Sequence, residues 1–363
     1  MLTSPASQAG RRPALAFIIN SVEFVNHYRL IWQHLGADSF DIIAGGMEEK
    51  PDEIRAFVAS QGFACRTIGD VLADGRRYPW LVSHHPFMSS DIASVSQLGD
   101  RHVRFMYGLG KAGWNFSEWN RLYDAILCFG PHQKDALARV TDSLLIEVGY
   151  PRFDRFFHGA FNRTRLQRDY GCDPAKRTLV WLPTWSDLAS ISRYQAAMSM
   201  LTGAFNVVVK LHPFARQKNP REVAELKQHR FNAIIDEPID NVSLYVLADW
   251  IVADYGGPMF GALYTDRKLL LLDLPDTANH EFLGKDSPDL LLRQVIPSVA
   301  APDSERIMAL LLDDELWVRQ QAVAAALRRE FFAPYYGCSA EVASAVLTNI
   351  DAIVRLQGRA NRS

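Results

Sequence analysis

The sequence predicts an α/β protein built from two Rossmann-like parallel-sheet domains that face a central cleft, with helices at the C-terminal end. Three observations carry that expectation. Short apolar runs alternate with longer amphipathic ones, which suits strands covered on both faces by crossover helices. The alternation breaks once, in the polar stretch "NRTRLQRDYGCDPAKR" at 162–177, and then restarts. The length of 363 residues accommodates two domains of ordinary size.

Before the break, strands are expected at "ALAFIIN" (from residue 14), "FDIIAG" (40), "ACRTIG" (64), "WLVSHH" (80), "RHVRFMYG" (101), "AILCFG" (125) and "LLIEVG" (144). Helical spacing lies between them, as in "EFVNHYRLIWQHL" (23) and "PDEIRAFVASQ" (51). After the break come "TLVWLPT" (178), "NVVVKLHP" (206), "NAIIDE" (232), "WIVADY" (250) and "KLLLLD" (268). Helical stretches such as "ISRYQAAMSMLTGA" (191) and "PREVAELKQH" (220) separate these, and the tail from Asp303 is almost all helical in pattern. The expected division is a Rossmann-like domain at 1–165, a second at 166–335, and a C-terminal helix at 336–363 with the option of crossing back to the first domain. Ligands in such folds lie at the carboxyl ends of the strands.

Composition narrows the function. A formal net charge of −2 gives no support to nucleic-acid binding, so any affinity for phosphate must come from local placement. The four cysteines, Cys65, Cys128, Cys172 and Cys338, form no C-x-x-C pair and read as free thiols of a reducing compartment. The apolar stretch that follows Arg11 and Arg12 runs only from Ala14 to Ile19, too short for an export signal or a membrane span. The N-x-[ST] sequons at Asn115, Asn162 and Asn241 are therefore read as chance.

The strand ends hold the candidate chemistry. In "DWIVADYGGPMFGALYT" the apolar strand ends at Asp254-Tyr255, Gly256-Gly257 make the turn, and Pro258 suits a first helical turn. Bare amides and a positive helix end there suit an anion; the alternative is a tight turn with a structural Asp. In "VVVKLHPF", Lys210 and His212 stand at a strand exit, where an imidazole can donate to phosphate or move a proton. In "EVGYPRFDRF", Arg152 follows Gly149 and Pro151 and offers a bidentate fork. Its alternative is an ion pair with Asp154. In "WLPTWSD", Thr184 and Trp185 end a strand, and the indole could stack on a base or pack in the core.

Two further patterns are read with restraint. "GLGKAG" (Gly108 to Gly113) matches G-x-G-x-x-G, but "WNFSEWNRLYD" after it is not a dinucleotide helix, so the segment is read as a mobile glycine loop. "SHHPF" places His84 and His85 side by side; on a strand they would point apart, which argues against a metal pair. No D-x-D occurs, no metal ligand is assigned, and Mg2+ is the one cofactor left open.

Four strand-end pieces, in order, resemble the CDP-glycerol glycerophosphotransferase family of teichoic-acid polymerases and primases. Its G-x-P-R-x-D, A-P-T-W, K-L-H-P and D-Y-S-S elements correspond to Gly149–Asp154, Leu182-Pro183-Thr184-Trp185, Lys210-Leu211-His212-Pro213 and Asp254-Tyr255-Gly256-Gly257. The resemblance spans roughly residues 100–275. It implies a GT-B fold and transfer of a polyol phosphate, glycerol phosphate first, from a CDP-activated donor to a hydroxyl of a glycan or lipid-linked acceptor. It further implies that the first domain takes the acceptor and the second the nucleotide donor. It also implies a cytoplasmic protein that could work at the inner membrane face. Two departures stand out. The family's two serines are Gly256 and Gly257 here, and its H-G-T-P-L-K element reads Tyr107-Gly108-Leu109-Gly110-Lys111.

The expected donor and phosphate contacts are thus Arg152, Lys210, Asp254, Tyr255, Gly256, Gly257, Thr184 and Trp185. The expected acceptor loop is Gly108, Gly110 and Lys111. Proton transfer falls to His212, Tyr107, His84 or His85, with tyrosine a weak base near neutral pH. Two other functions fit the same residues: a GT-B glycosyltransferase using a nucleotide sugar, and a nucleotide-binding protein without catalysis. "AAALRREFFAPYY" (from 324) mixes Arg with aromatics and could touch lipid, although a core-packing helix explains it as well.

Overall fold

The computed structural model describes residues 13–45, 49–85 and 97–360. The first twelve residues and Pro86-Phe87 of the S-H-H-P-F run lie outside them. The first sheet holds seven strands: β1 (Leu15–Ile19), β2 (Phe40–Ala44), β3 (Arg66–Thr67), β4 (Tyr78–Ser83), β5 (Gly99–Phe105), β6 (Ala125–Cys128) and β7 (Leu144–Glu147), in the order β3-β2-β1-β4-β5-β6-β7. The second holds six: β8 (Thr178–Leu182), β9 (Asn206–Lys210), β10 (Ala233–Ile235), β11 (Trp250–Ala253), β12 (Lys268–Leu272) and β13 (Ser298–Val299), in the order β10-β9-β8-β11-β12-β13. In the second sheet every paired strand runs parallel.

Both orders reverse direction once, between β1 and β4 and again between β8 and β11. At such a reversal the loops leave in opposite directions and open a crevice at the strand carboxyl ends. The expected strands all form. The two-residue β13 was not foreseen, being too short to show a pattern.

The chain divides into two compact units. One joins residues up to Phe105 with Leu122–Ile126 and a C-terminal segment from Ser344; the other joins Met106–Arg121 with Leu127–Ala343. The 162–177 stretch holds a helix, Arg163–Asp169, whose first turn is capped by the Asn162 side chain.

Strand alternation builds the cores. In the first unit, Ala16 and Ile18 pack with Ile43, Val71 and Leu81 on one face of the sheet. Phe17, pointing the other way, meets Tyr28, Trp32 and Phe40 at 5.3–5.8 Å between ring centroids. In the second unit Leu179, Trp181, Val207, Val209, Trp250, Val252, Leu270 and Leu272 form one buried cluster with Tyr194, Met198 and Trp317. The tail is helical, with Asp303 and Asp313 as side-chain caps for the helices Ser304–Leu312 and Asp314–Phe331. Phe331 and Phe332 of the Arg- and aromatic-rich stretch are buried, as a core-packing helix requires. Among the described residues no helix is long and apolar enough to cross a membrane.

Candidate active site

The site grows from β11. Asp254 follows that strand directly and is fully buried. Its carboxylate accepts from the Thr184 amide at 2.9 and 3.1 Å, the Ser190 amide at 2.8 Å and its own neighbour Tyr255 at 2.7 Å. Burial pushes its pKa up, against the pull of these donors. Asp254 therefore ties the loop after β8 to the loop after β11, across the reversal in strand order. The structural alternative raised for this Asp is what its hydrogen bonds describe. Tyr255 is also buried; the Arg293 guanidinium lies over its ring at 3.7 Å, and its hydroxyl meets Thr277 Oγ1 at 2.8 Å.

Arg293, which no sequence signal marked, closes this end of the sheet. It donates to the Asp273 carboxylate and the Asp289 carbonyl, each at 2.8 Å, and to the Asp254 carbonyl.

Gly256 has φ +89° and ψ −155°, a conformation essentially reserved for glycine. The expectation that both glycine amides are free for an anion needs correction. The Gly256 amide donates to Asp289 Oδ1 at 2.7 Å. Gly257 heads the helix Gly257–Tyr264, where no preceding turn offers its N–H an acceptor, and a Cβ there would meet nothing within 4 Å. This explains the departure from the family's serine pair at one position only. Gly256→Ser should cost about 1–3 kcal/mol, whereas Gly257→Ser should stay within about 0.5 kcal/mol of the parent. Urea unfolding of both variants checks the difference, and equal costs would reject it.

The glycine loop is not slack, contrary to expectation. The Gly108 carbonyl accepts from Gln133 at 2.8 Å, the Gly110 carbonyl from Asn115 at 2.6 Å, and the Lys111 amide donates to Asp289 Oδ2 at 2.7 Å. Lys111 holds a left-handed backbone (φ 58°, ψ 54°). A Cβ on Gly110 would come within 2.9 Å of the Gly256 Cα, so only glycine permits this approach. The loop thus joins the strand-end cluster within its own unit. The Lys111 ammonium lies 4.6 Å from the Trp185 ring centroid and 3.5 Å from Thr184 Oγ1, and burial lowers its pKa. Trp185 is half-buried, with His212 at 5.9 Å and Phe214 at 5.6 Å, so one aromatic surface edges the cluster.

His212 takes its tautomer from the backbone. The Phe214 amide donates to Nδ1 at 3.1 Å, which leaves the proton of a neutral ring on Nε2. Burial, followed by the charges of Lys111, Lys210 and Arg152, holds its pKa well below the usual imidazole value. The positive charges of Lys111, Lys210 and Arg152 thus all bear on one neutral ring. Lys210, buried at the end of β9, also donates to the Leu211 carbonyl at 2.6 Å.

The G-x-P-R-x-D element splits in role. Gly149 (φ +77°) lies so close to Ser339 that a Cβ would meet its Oγ at 2.3 Å. Asp154 accepts from the Ala340 amide at 2.7 Å, and burial pushes its carboxyl up to about 6. Both serve the packing of the C-terminal helical segment. Arg152, buried between them in the sequence, is the member whose charge reaches His212.

In the first unit the reversal between β1 and β4 carries a second polar cluster. β4 ends at Ser83, so His84 and His85 follow a bend and not a strand. Their rings meet edge-on at 4.1 Å, which corrects the expectation that they point apart. His84 is fully buried and stacks on Phe24 at 3.3 Å, and burial drives its pKa well down. His85 is half-buried, and its Nε2 pairs with Asn20 Nδ2 at 3.2 Å. Tyr107 is likewise half-buried and belongs to the second unit. No group of three or more His, Cys, Asp or Glu among the described residues could hold a metal ion.

The lowered histidines fix a sign for acid stability. For His84 and His212 the unfolded chain binds protons that the folded one refuses, so their contribution is whole above about 6.5 and is lost as pH falls below it. Asp154, raised to about 6, and Asp254, also raised, act oppositely, but His102 and His132 are lowered as well, so the lowered histidines outnumber the raised carboxyls. The urea midpoint should be lower at pH 5.5 than at pH 7.5; a flat or rising midpoint on acidification would contradict these protonation states.

Two sheets of this topology, each with one reversal of strand order, make a two-domain α/β fold of the GT-B type. Residues 111–273 match the model of the CDP-glycerol:poly(glycerophosphate) glycerophosphotransferase family. No curated protein matches the sequence. Among solved structures, a variant of the wall teichoic acid polymerase TagF soaked with CDPG is similar at 14% identity and a TM-score of 0.62, over 95% of this chain and 90% of that one. Anabaena HepE in complex with UDP and glucose is similar at 10% identity and a TM-score of 0.59, over 93% of this chain and 99% of that one. The UDP-GlcNAc 2-epimerase of Neisseria meningitidis bound to UDP-GlcNAc gives 12% and 0.58, over 92% and 99%. At these identities the likeness is one of fold.

Proposed function

We propose that the protein transfers glycerol phosphate from CDP-glycerol to a hydroxyl of a glycan or lipid-linked acceptor, releasing CMP. The observation that carries this reading is the cluster of Lys111, Lys210 and Arg152 around a neutral His212, inside the segment that matches the family. The acceptor oxygen bonds to the phosphorus that bears glycerol. The bond from that phosphorus to the bridging oxygen breaks, and the electron pair leaves with CMP. Charge grows on the bridging and non-bridging oxygens, where the Nε2–H of His212, the Lys111 ammonium and the Gly257 amide supply fixed donors. Trp185 offers a face for the cytosine ring.

The hydroxyl proton needs a base. His84 is sealed under Phe24, so of the two adjacent histidines the half-buried His85 is the candidate, with Tyr107 as the alternative. A CDP-activated donor would be met in the cytoplasm, and a lipid-linked acceptor would bring the protein to the inner membrane face.

The test is a ligand panel. CDP and CDP-glycerol should raise the melting temperature more than UDP and GDP do, and CMP should appear as product with a polyol-bearing acceptor. Release of UDP from a nucleotide sugar would replace this reading with the glycosyltransferase one. Binding of CDP-glycerol without turnover on any acceptor would favour the inactive one, for which Tyr107 in place of the family's histidine already argues.

A further inference from the structure

Asp289 lies outside every strand-end motif and outside the matched segment, yet it is fully buried beneath the proposed phosphate site. Its Oδ1 accepts the Gly256 amide at 2.7 Å; its Oδ2 accepts the Lys111 amide at 2.7 Å and the Ser287 hydroxyl at 2.8 Å. These donors come from three places: the turn after β11, the glycine loop, and the approach to the helix Pro288–Arg293. Gly110 lets the loop close over the carboxylate, since a Cβ there would lie 2.7 Å from Oδ1. The helix that carries Asp289 is itself anchored, because Arg293 donates to the Asp289 carbonyl at 2.8 Å and also to the Asp254 carbonyl.

We infer that Asp289 is a positioning residue for the donor's diphosphate. Its carboxylate fills the glycine-only turn at Gly256, so the ligand is displaced by one residue, toward the Gly257 amide and the Lys111 ammonium. Both of those groups are then fixed through backbone that Asp289 holds. The carboxylate does not touch the donor. This inference rests on the nucleotide reading above and adds the residue that sets where the phosphate donors stand.

Asparagine is the informative replacement. Its amide oxygen can keep one backbone donor, but its NH2 then faces the other N–H, donor against donor. Asp289→Asn should weaken CDP binding at least tenfold by calorimetry while leaving cytidine binding within twofold, because only the phosphates use the displaced groups. Ser287→Ala, which removes the side-chain donor and leaves both backbone bonds, should weaken CDP binding about twofold or more and spare cytidine; it serves if Asp289→Asn does not fold, and unchanged CDP binding in it would then overturn the inference. Equal loss of CDP and cytidine would mean general damage to the unit, and unchanged CDP binding in a folded Asp289→Asn would mean no positioning role. Either result overturns the inference. If the parent protein binds neither CDP nor cytidine, the nucleotide reading itself falls.

Discussion

On the proposed function, His212→Ala should lower kcat for glycerol phosphate transfer by about 10²–10³ and change the affinity for CDP-glycerol much less. The split follows from the geometry. In the resting protein His212 is a neutral ring whose Nε2 proton is fixed by the Phe214 amide on its other nitrogen. A donor fixed in this way gains most when charge builds on the leaving phosphate, and least in the ground state, where Lys111, Lys210 and Arg152 already supply attraction. Glutamine at this position can present an NH2 but lacks the lock from Phe214, so partial recovery at best is expected. Steady-state kinetics with CMP release as the readout decide the matter. An unchanged kcat would remove His212 from the chemistry.

Asp254→Ala should be the most damaging single substitution for stability. It strips the acceptor from the buried amides of Thr184, Ser190 and Tyr255 at once. Each buried donor left unpaired costs about 1–3 kcal/mol, so a loss of about 3–5 kcal/mol is expected. Asp254→Asn should lose less, because one oxygen remains to accept. Urea unfolding of the two variants measures the costs. A loss below about 1 kcal/mol for Asp254→Ala would show that water or a rearranged loop replaces the carboxylate, and the proposed tie between the loops after β8 and β11 would not hold.

The sequence shows the strands well because each is a dense apolar run bounded by Gly, Pro or Asp. β11, for instance, is Trp-Ile-Val-Ala closed by Asp254 and two glycines. It shows less of the site. Short motifs put Arg152, Thr184, Trp185, His212 and Gly257 at strand ends, and these do stand close to one another's elements in the second unit. They cannot distinguish a residue that faces ligand from one that braces it. Asp254 and Asp154 carry the same chemistry as ligand-binding carboxylates and are spent on backbone amides. Asp289 escapes notice because it sits in "DSPDLLL", a plain helix start far along the chain, and its partners at 111 and 256 are remote in sequence. For His84 and His85 the expected strand runs two residues too far: with β4 ending at Ser83, alternation no longer applies.

The placing of Lys111 has a cost that is met before any ligand arrives. Burial strips its ammonium of water and lowers its pKa, and the carboxylates of Asp289, Asp254 and Asp187 offset that only in part. On the proposed function, an incoming diphosphate would supply the missing compensation. Affinity for the donor and the unease of a sunken cation are, on that reading, two faces of one electrostatic imbalance.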